Sequence, residues 1–162
     1  MNLQHRVSAD LGVAESPSPV KIKVSSDLNV LAQVLAWFDQ FKQPTLPYSV
    51  WLQCQLALAE GFTNAVRHAH RDKPTDTPVE IEVTTRSQAI EIRIWDSGSG
   101  FDLEHSLSTR PSLVEILGEG GRGLKIIQKT SDVFSYTRTS DHRNCLLMIK
   151  NFLPMTSSLV PG

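Results

Sequence analysis

Three stretches of the chain alternate apolar and polar residues. Val20, Ile22 and Val24 face one way while Lys21 and Lys23 face the other. A period of two predicts a half-buried strand over 20–25. Val79, Ile81 and Val83 alternate with Glu80, Glu82 and Thr84, and Ile90, Ile92 and Ile94 alternate with Glu91, Arg93 and Trp95. The short link Arg86-Ser87-Gln88 joins strands at Val79 to Thr85 and Ala89 to Trp95 into an antiparallel hairpin. Other stretches follow the helical period. Ser26-Asp27 caps a helix whose apolar face is Leu28, Val30, Leu31, Val34, Leu35, Trp37 and Phe38, and Pro44 and Pro47 end it. A second helix is predicted from Tyr48 to about Arg71, with Leu56, Ala59, Phe62, Val66 and Ala69 as its apolar stripe. Asp72 to Pro78 is a loop, and Phe101 to Glu119 is irregular apart from a short helix near Leu113 to Leu117. A helix comes next over Leu124 to Thr130, then strands at about Val133 to Thr139 and Asn144 to Asn151.

This order predicts an α+β fold, a two-layer sandwich with a mixed, mostly antiparallel sheet and its helices on one face. Residues 1–19 read as a loose tail, 20–153 as one domain and 154–162 as a second tail. Composition agrees: 162 residues, 40% hydrophobic and 20% charged, suit one globular domain. A formal net charge of -1 with no basic run gives no general attraction to nucleic acid or anionic membrane. Cys54 and Cys145 form neither a disulfide framework nor a close metal spacing. The N-terminus lacks an apolar signal core, and no stretch is long and apolar enough to span a membrane. The chain reads as cytoplasmic.

Candidate chemistry starts on the second helix. Glu60, Asn64 and His68 recur every fourth residue and so share a stripe beside the apolar one. A carboxylate and a carboxamide one turn apart suit a hard cation such as Mg²⁺, and the carboxylate can take a proton from a hydroxyl. Asp96, ending a strand, can accept a hydrogen bond from an exocyclic amine, and Gly98 and Gly100 after it permit close backbone approach to a ligand. Gly120-Gly121-Arg122-Gly123 opens a helix, where exposed amides and the helix dipole favour an anion and Arg122 adds a forked donor. Alone, the first segment reads equally well as a plain helix edge, and the other two read better as ordinary structure, a strand-ending turn and a loop entering a helix.

Together the three segments resemble the GHKL ATPase/kinase superfamily with its Bergerat fold. The match is Glu60-x-x-x-Asn64-Ala (the N box), Asp96-x-Gly98-x-Gly100 and Gly121-x-Gly123 (two glycine boxes). The longer forms Glu60-Gly-Phe-Thr-Asn64-Ala-Val-Arg-His68-Ala and Gly120-Gly121-Arg122-Gly123-Leu-Lys-Ile-Ile look most like bacterial anti-sigma-factor serine/threonine kinases. The resemblance implies ATP and Mg²⁺ as cofactors, with Asn64 on the metal, Glu60 as general base and Asp96 on the adenine amine. It further implies that Gly98 and Gly100 shape the adenine pocket, 101–119 forms a lid, and Gly120, Gly121, Arg122 and Gly123 bind phosphates. His68 also fits the long N box, although a helical His more often makes a structural hydrogen bond. The implied partners are a STAS-domain anti-sigma-factor antagonist carrying the acceptor serine, a sigma factor, and a second copy of the chain through Leu28 to Phe41 or a sheet edge.

Three other readings compete. Gly118-Glu-Gly120-Gly-Arg-Gly123 spells the dinucleotide-binding G-x-G-x-x-G with Asp141 downstream, as in an oxidoreductase. That reading leaves Glu60, Asn64 and Asp96 unexplained and needs parallel strands beyond Gly123. A nucleotide-binding module that holds a partner without phosphotransfer would share the same boxes. A two-component histidine kinase would need a phosphoacceptor helix, for which 1–19 is short and proline-rich. Trp37, Trp51 and Trp95 read as core or interface residues.

Overall fold

The computed structural model describes residues 16–108 and 122–156. Its elements are β1 (Val20–Ser25), α1 (Leu31–Phe38), α2 (Tyr48–Asn64), β2 (Pro78–Arg86), β3 (Ala89–Asp96), α3 (Leu103–Ser108), α4 (Gly123–Thr130), β4 (Val133–Arg138) and β5 (Asn144–Asn151). The strands form one sheet in the order β1-β2-β3-β5-β4. The α+β class holds, and among the described residues every neighbouring pair of strands is antiparallel, with no parallel pair to make the sheet mixed. The chain leaves β3 through α3 and α4, lays β4 at the far edge and returns β5 between them, antiparallel to both. This topology removes the dinucleotide-binding reading, whose crossovers require parallel strands.

Register sorts the sheet into two faces. Val83, Ile92, Met148 and Phe134 lie in one cross-strand row, and Ile81, Ile94, Leu146 and Tyr136 in the next. One step further on the same face the row turns polar: Asp96, Asn144, Arg138. The helices cover the apolar rows. The opposite face carries ion pairs, such as Lys21 to Glu82 at 2.7 Å.

The buried stripe of α2 differs from the predicted one. Trp51, Cys54, Ala57, Leu58, Gly61 and Phe62 face inward, whereas Leu56 is exposed. Both sets follow helical spacing and share Phe62. Packing decides between them, because Gly61 lets the helix lie low on the sheet. A Cβ there would sit 2.6 Å from Ile94 Cδ1 and 3.1 Å from Leu146 Cδ2. Leu58 and Phe62 are wholly buried, each contributing roughly 2–3 kcal/mol of apolar burial. α1 closes the other flank, with Phe38 stacked on Trp51 at 4.6 Å between ring centroids.

Element ends carry further differences. Asp27 caps as expected, its Oδ1 accepting from the Asn29 N–H at 2.9 Å, but the first and last turns of this helix tighten into 3₁₀ geometry at Leu28–Val30 and Asp39–Phe41. The α-helical part of the second helix stops at Asn64. Ala65–Ala69 then forms a π turn, with His70 N–H reaching back five residues to the Ala65 carbonyl at 2.9 Å. The stretch after Phe101, expected to be irregular, begins with α3, whose entry is capped by Asp102 Oδ1 accepting from the His105 N–H at 3.0 Å. Gly120, Gly121 and the predicted helix near Leu113 to Leu117 lie outside the described residues. The backbone N–H of Met155 donates to the Thr45 carbonyl at 2.8 Å. Among the described residues no helix is long and apolar enough to cross a membrane.

Candidate functional site

The polar row at the end of β3 builds a closed hydrogen-bond network. Asp96 is 3% exposed. Its Oδ1 accepts from the Gly98 N–H at 2.8 Å and from Asn144 Nδ2 at 2.7 Å, and its Oδ2 accepts from the Tyr136 hydroxyl at 2.9 Å. Asn144, fully buried, also donates to the Gly98 carbonyl at 3.0 Å. Arg138 Nη1 donates to that same carbonyl at 3.1 Å and to Asn144 Oδ1 at 3.2 Å. A carboxylate offers about four acceptor directions. Three are filled, and the remaining one is on Oδ2 beside Tyr136. Burial, then the charge and hydrogen bond of Asp96, hold the Tyr136 phenol protonated well above its ordinary range, so it stays a donor. Its ring stacks on Phe101 with centroids 4.1 Å apart.

The two glycines after Asp96 are required for different reasons. Gly100 has φ +83°, a region that residues with a Cβ seldom enter. Gly98 has no room: a Cβ would lie 2.6 Å from the Ala69 carbonyl oxygen. The turn after β3 is therefore pressed directly against the end of the π turn.

The opposite end of the site is built from α2 and α4. Glu60 and Asn64 are half-buried and stand one helical turn apart. Gly123 begins α4 directly against Glu60, where a Cβ would meet Glu60 Oε2 at 2.7 Å. Arg122 is exposed at the head of this helix, its carbonyl accepting the Ile126 N–H at 3.0 Å. The fold thus gathers Asp96, Gly98 and Gly100 at one end and Glu60, Asn64, Arg122 and Gly123 at the other.

His68 departs from its expected structural role. Its ring is exposed and makes no hydrogen bond among the described residues. Shielding, then Arg71 and Arg67, lower its pKa. The structural histidine is His70, two positions on and 3% exposed. Ser97 N–H donates to its Nε2 at 2.8 Å, and its Nδ1 lies 2.6 Å from Ser26 Oγ.

Tyr136, Arg138, Asn144 and His70 were not singled out from the sequence, and Ser26 only as part of a helix cap. A signal was present for two of them. Asn144 continues the alternation of Leu146 and Met148, and Arg138 that of Phe134 and Tyr136, so polar groups fall where the period demands apolar ones. A polar residue on a core face needs a partner, and here the partners are each other and Asp96.

Residues 24–150 match the family model described as the histidine kinase-like ATPase domain. The chain belongs to this family. Membership agrees with the GHKL boxes, with the antiparallel sheet backed by helices, and with use of ATP at the level of the family. This histidine kinase-like ATPase domain is also similar to the serine-protein kinase RsbW of Staphylococcus aureus strain bovine RF122 / ET3-1. The two are 32% identical over 83 residues, covering 48% of this chain and 52% of the relative. RsbW of strain MRSA252 matches with the same figures, and that of strain JH9 is 31% identical over 83 residues, with the same coverage. The ATPase domain spans about half the length of the curated relatives it matches.

Proposed function

We propose that this ATPase domain is a protein serine/threonine kinase of the anti-sigma-factor type. In this reading it takes ATP with Mg²⁺ and phosphorylates a serine or threonine of a STAS-domain antagonist. Phosphorylation then changes which partner is held, with a sigma factor as the second partner and a homodimer as the working form. The observation that carries the reading is the placement of Gly123, at the head of α4, against the carboxylate of Glu60. A base for a hydroxyl and a helix N-terminus suited to phosphate meet at one point, one turn from a carboxamide.

The residues fit the groups they would hold. Among the described residues no set of three or more His, Cys, Asp or Glu could hold an ion by itself. A Mg²⁺ ion here would take most of its oxygens from phosphates and water, with Asn64 as the protein's ligand, which is the habit of that ion. Bound there, Mg²⁺ neutralises phosphate charge. At the other end, the open direction on Asp96 Oδ2 suits an exocyclic amine, and the Gly98–Gly100 turn lets a flat base approach. His68 lies on the π turn two residues before His70 and is given no contact to the nucleotide in this reading. Gly120 and Gly121, outside the described residues, are assigned to the phosphates by the motif alone.

Phosphoryl transfer asks the protein mainly to position groups and balance charge. Glu60 accepts the proton as the acceptor hydroxyl bonds to the γ-phosphorus and the bond to the ADP oxygen breaks. The head of α4 and Arg122 hold the phosphate oxygens through that change.

The test supplies γ-labelled ATP and Mg²⁺ with a STAS-domain candidate or source extract, using wild type and Glu60→Gln. A labelled serine or threonine made by wild type, and reduced by about 10²- to 10⁴-fold in the variant, is expected. Undiminished ATP binding with no labelled protein from either form would overturn the kinase in favour of a binding module.

A further inference from the structure

Buried His70 joins three separate segments, and the proton positions on its ring are fixed by its neighbours. Ser26 Oγ has one proton, which it donates to the Thr77 carbonyl at 2.6 Å. Ser97 N–H donates to His70 Nε2 at 2.8 Å, so that nitrogen carries no proton. A neutral ring must then carry its proton on Nδ1, which donates to Ser26 Oγ at 2.6 Å. All donors and acceptors in this chain agree with one tautomer only.

The place of this relay gives it consequence. Ser97 lies between Asp96 and Gly98, and Gly98 abuts the carbonyl of Ala69, the residue before His70. The segment that ends in His70 begins at Asn64, the last residue of α2. His70 therefore fastens the turn at the base end of the pocket to the helix that carries Glu60 and Asn64.

We propose that His70 is a positioning residue for nucleotide binding, holding the Asp96–Gly98 turn through Ser97 in its neutral form and releasing it when Nε2 is protonated. This rests on the reading of the site as a nucleotide pocket. A proton on Nε2 turns an acceptor into a donor aimed at the Ser97 N–H, so the bond is replaced by a repulsive contact. The charged groups facing the ring are Asp96, which favours the imidazolium, and Lys73, which opposes it. From the residue after β1 and from the loop before β2 come neutral groups, the Ser26 hydroxyl and the Thr77 carbonyl. Burial outweighs Asp96 and lowers the pKa of His70, so release belongs to the acid side of neutrality.

The two conservative variants separate the roles of the two nitrogens. Glutamine at this position can keep an acceptor for Ser97 and cannot titrate, whereas asparagine can keep only the contact to Ser26. The experiment follows ¹⁵N–¹H signals of His70 and Ser97 in the free protein against pH, and titrates ADP with Mg²⁺ by calorimetry into wild type, His70→Gln and His70→Asn. In wild type the Nδ1–H tautomer is expected near pH 7.5, with the Ser97 amide shifting below about pH 6.5. ADP affinity should fall about three- to tenfold over the same interval, the scale of one lost hydrogen bond. His70→Gln should bind ADP as wild type does at neutral pH and lose the pH dependence. His70→Asn should bind at neutral pH as weakly as acidified wild type.

An Nε2–H tautomer, a Ser97 amide indifferent to His70, or an equal acid loss in His70→Gln would overturn the proposal, the last because the acid loss would then come from a group other than His70. If wild type bound no ADP at any pH while Ser97 still titrated with His70, the tether would stand and the nucleotide reading would fall.

Discussion

At Gly98 and Gly123 alike an added Cβ would come within 3 Å of another atom, yet the two obstacles differ in kind. At Gly98 the obstacle is the backbone of Ala69: the carbonyl oxygen at 2.6 Å, with its carbon and Cα at 3.0 Å. At Gly123 it is the carboxylate end of Glu60 at 2.7 Å, which can swing aside. The Asp96 end of the site is locked by main chain and a buried network. The Gly123 end is set by a side chain that is able to move. On the proposed reading, a rigid flat base suits the locked end and a proton acceptor the movable one.

The strongest test of this contrast is Gly98→Ala. No side chain can yield there, so about 2–3 kcal/mol of stability should be lost, of the order seen for overpacked cores, and ADP binding with it. Urea denaturation and calorimetry read both. Asn144→Ala comes next. It leaves Asp96 Oδ1 and the Gly98 carbonyl each a donor short in a buried place, and urea midpoints should report about 1–3 kcal/mol. Tyr136→Phe keeps the stack on Phe101 and removes one donor to Asp96. A loss of about 1 kcal/mol is expected, with one more acceptor direction left open on the carboxylate.

Acid should act on the locked end through His70. Its folded pKa lies below the ordinary histidine value of 6.5, so on acidification the unfolded chain takes up this proton first. Its stabilising contribution is full above pH 6.5 and declines as pH falls toward the folded pKa. Urea midpoints measured across that range should show the decline in wild type, and it should be absent in His70→Gln. The smallest change in stability belongs to Gly123→Ala. Alanine suits a helical position as well as glycine or better, so the denaturation midpoint should stay within about 0.5 kcal/mol of wild type, while displacement of Glu60 cuts phosphotransfer by about tenfold or more. A large drop in stability there would erase the contrast.

Much of this molecule is legible in its sequence because short-range periods carry it. The strand alternations at 20–25, 79–85 and 89–95 fall within a residue of β1, β2 and β3. Asp96 stands at the strand end where the boxes put it, and Glu60 and Asn64 share α2. Local pattern does not choose between two helical stripes of similar spacing, so the buried face of α2 had to be settled by Gly61 against Ile94 and Leu146. Nor does it show which residues meet across long separations. Asn144 reaches Asp96 over 48 positions, and Ser26 reaches His70 over 44. Of the two histidines in the N-box region, spacing favours His68, yet His70 is the one that the turn delivers to the core.

The π turn at Ala65–Ala69 has a consequence for insertions and deletions. It holds one residue more than a regular helical turn, in effect an insertion absorbed without lengthening the chain's path. Removing a single residue between Asn64 and His70 would let the helix close normally and carry the downstream residues through roughly 100° and 1.5 Å along the axis. Glu60 and Asn64 would keep their spacing, and a motif search would still find them, but the imidazole would no longer point at Ser97. In a chain built this way, the count of residues after the motif matters as much as the motif.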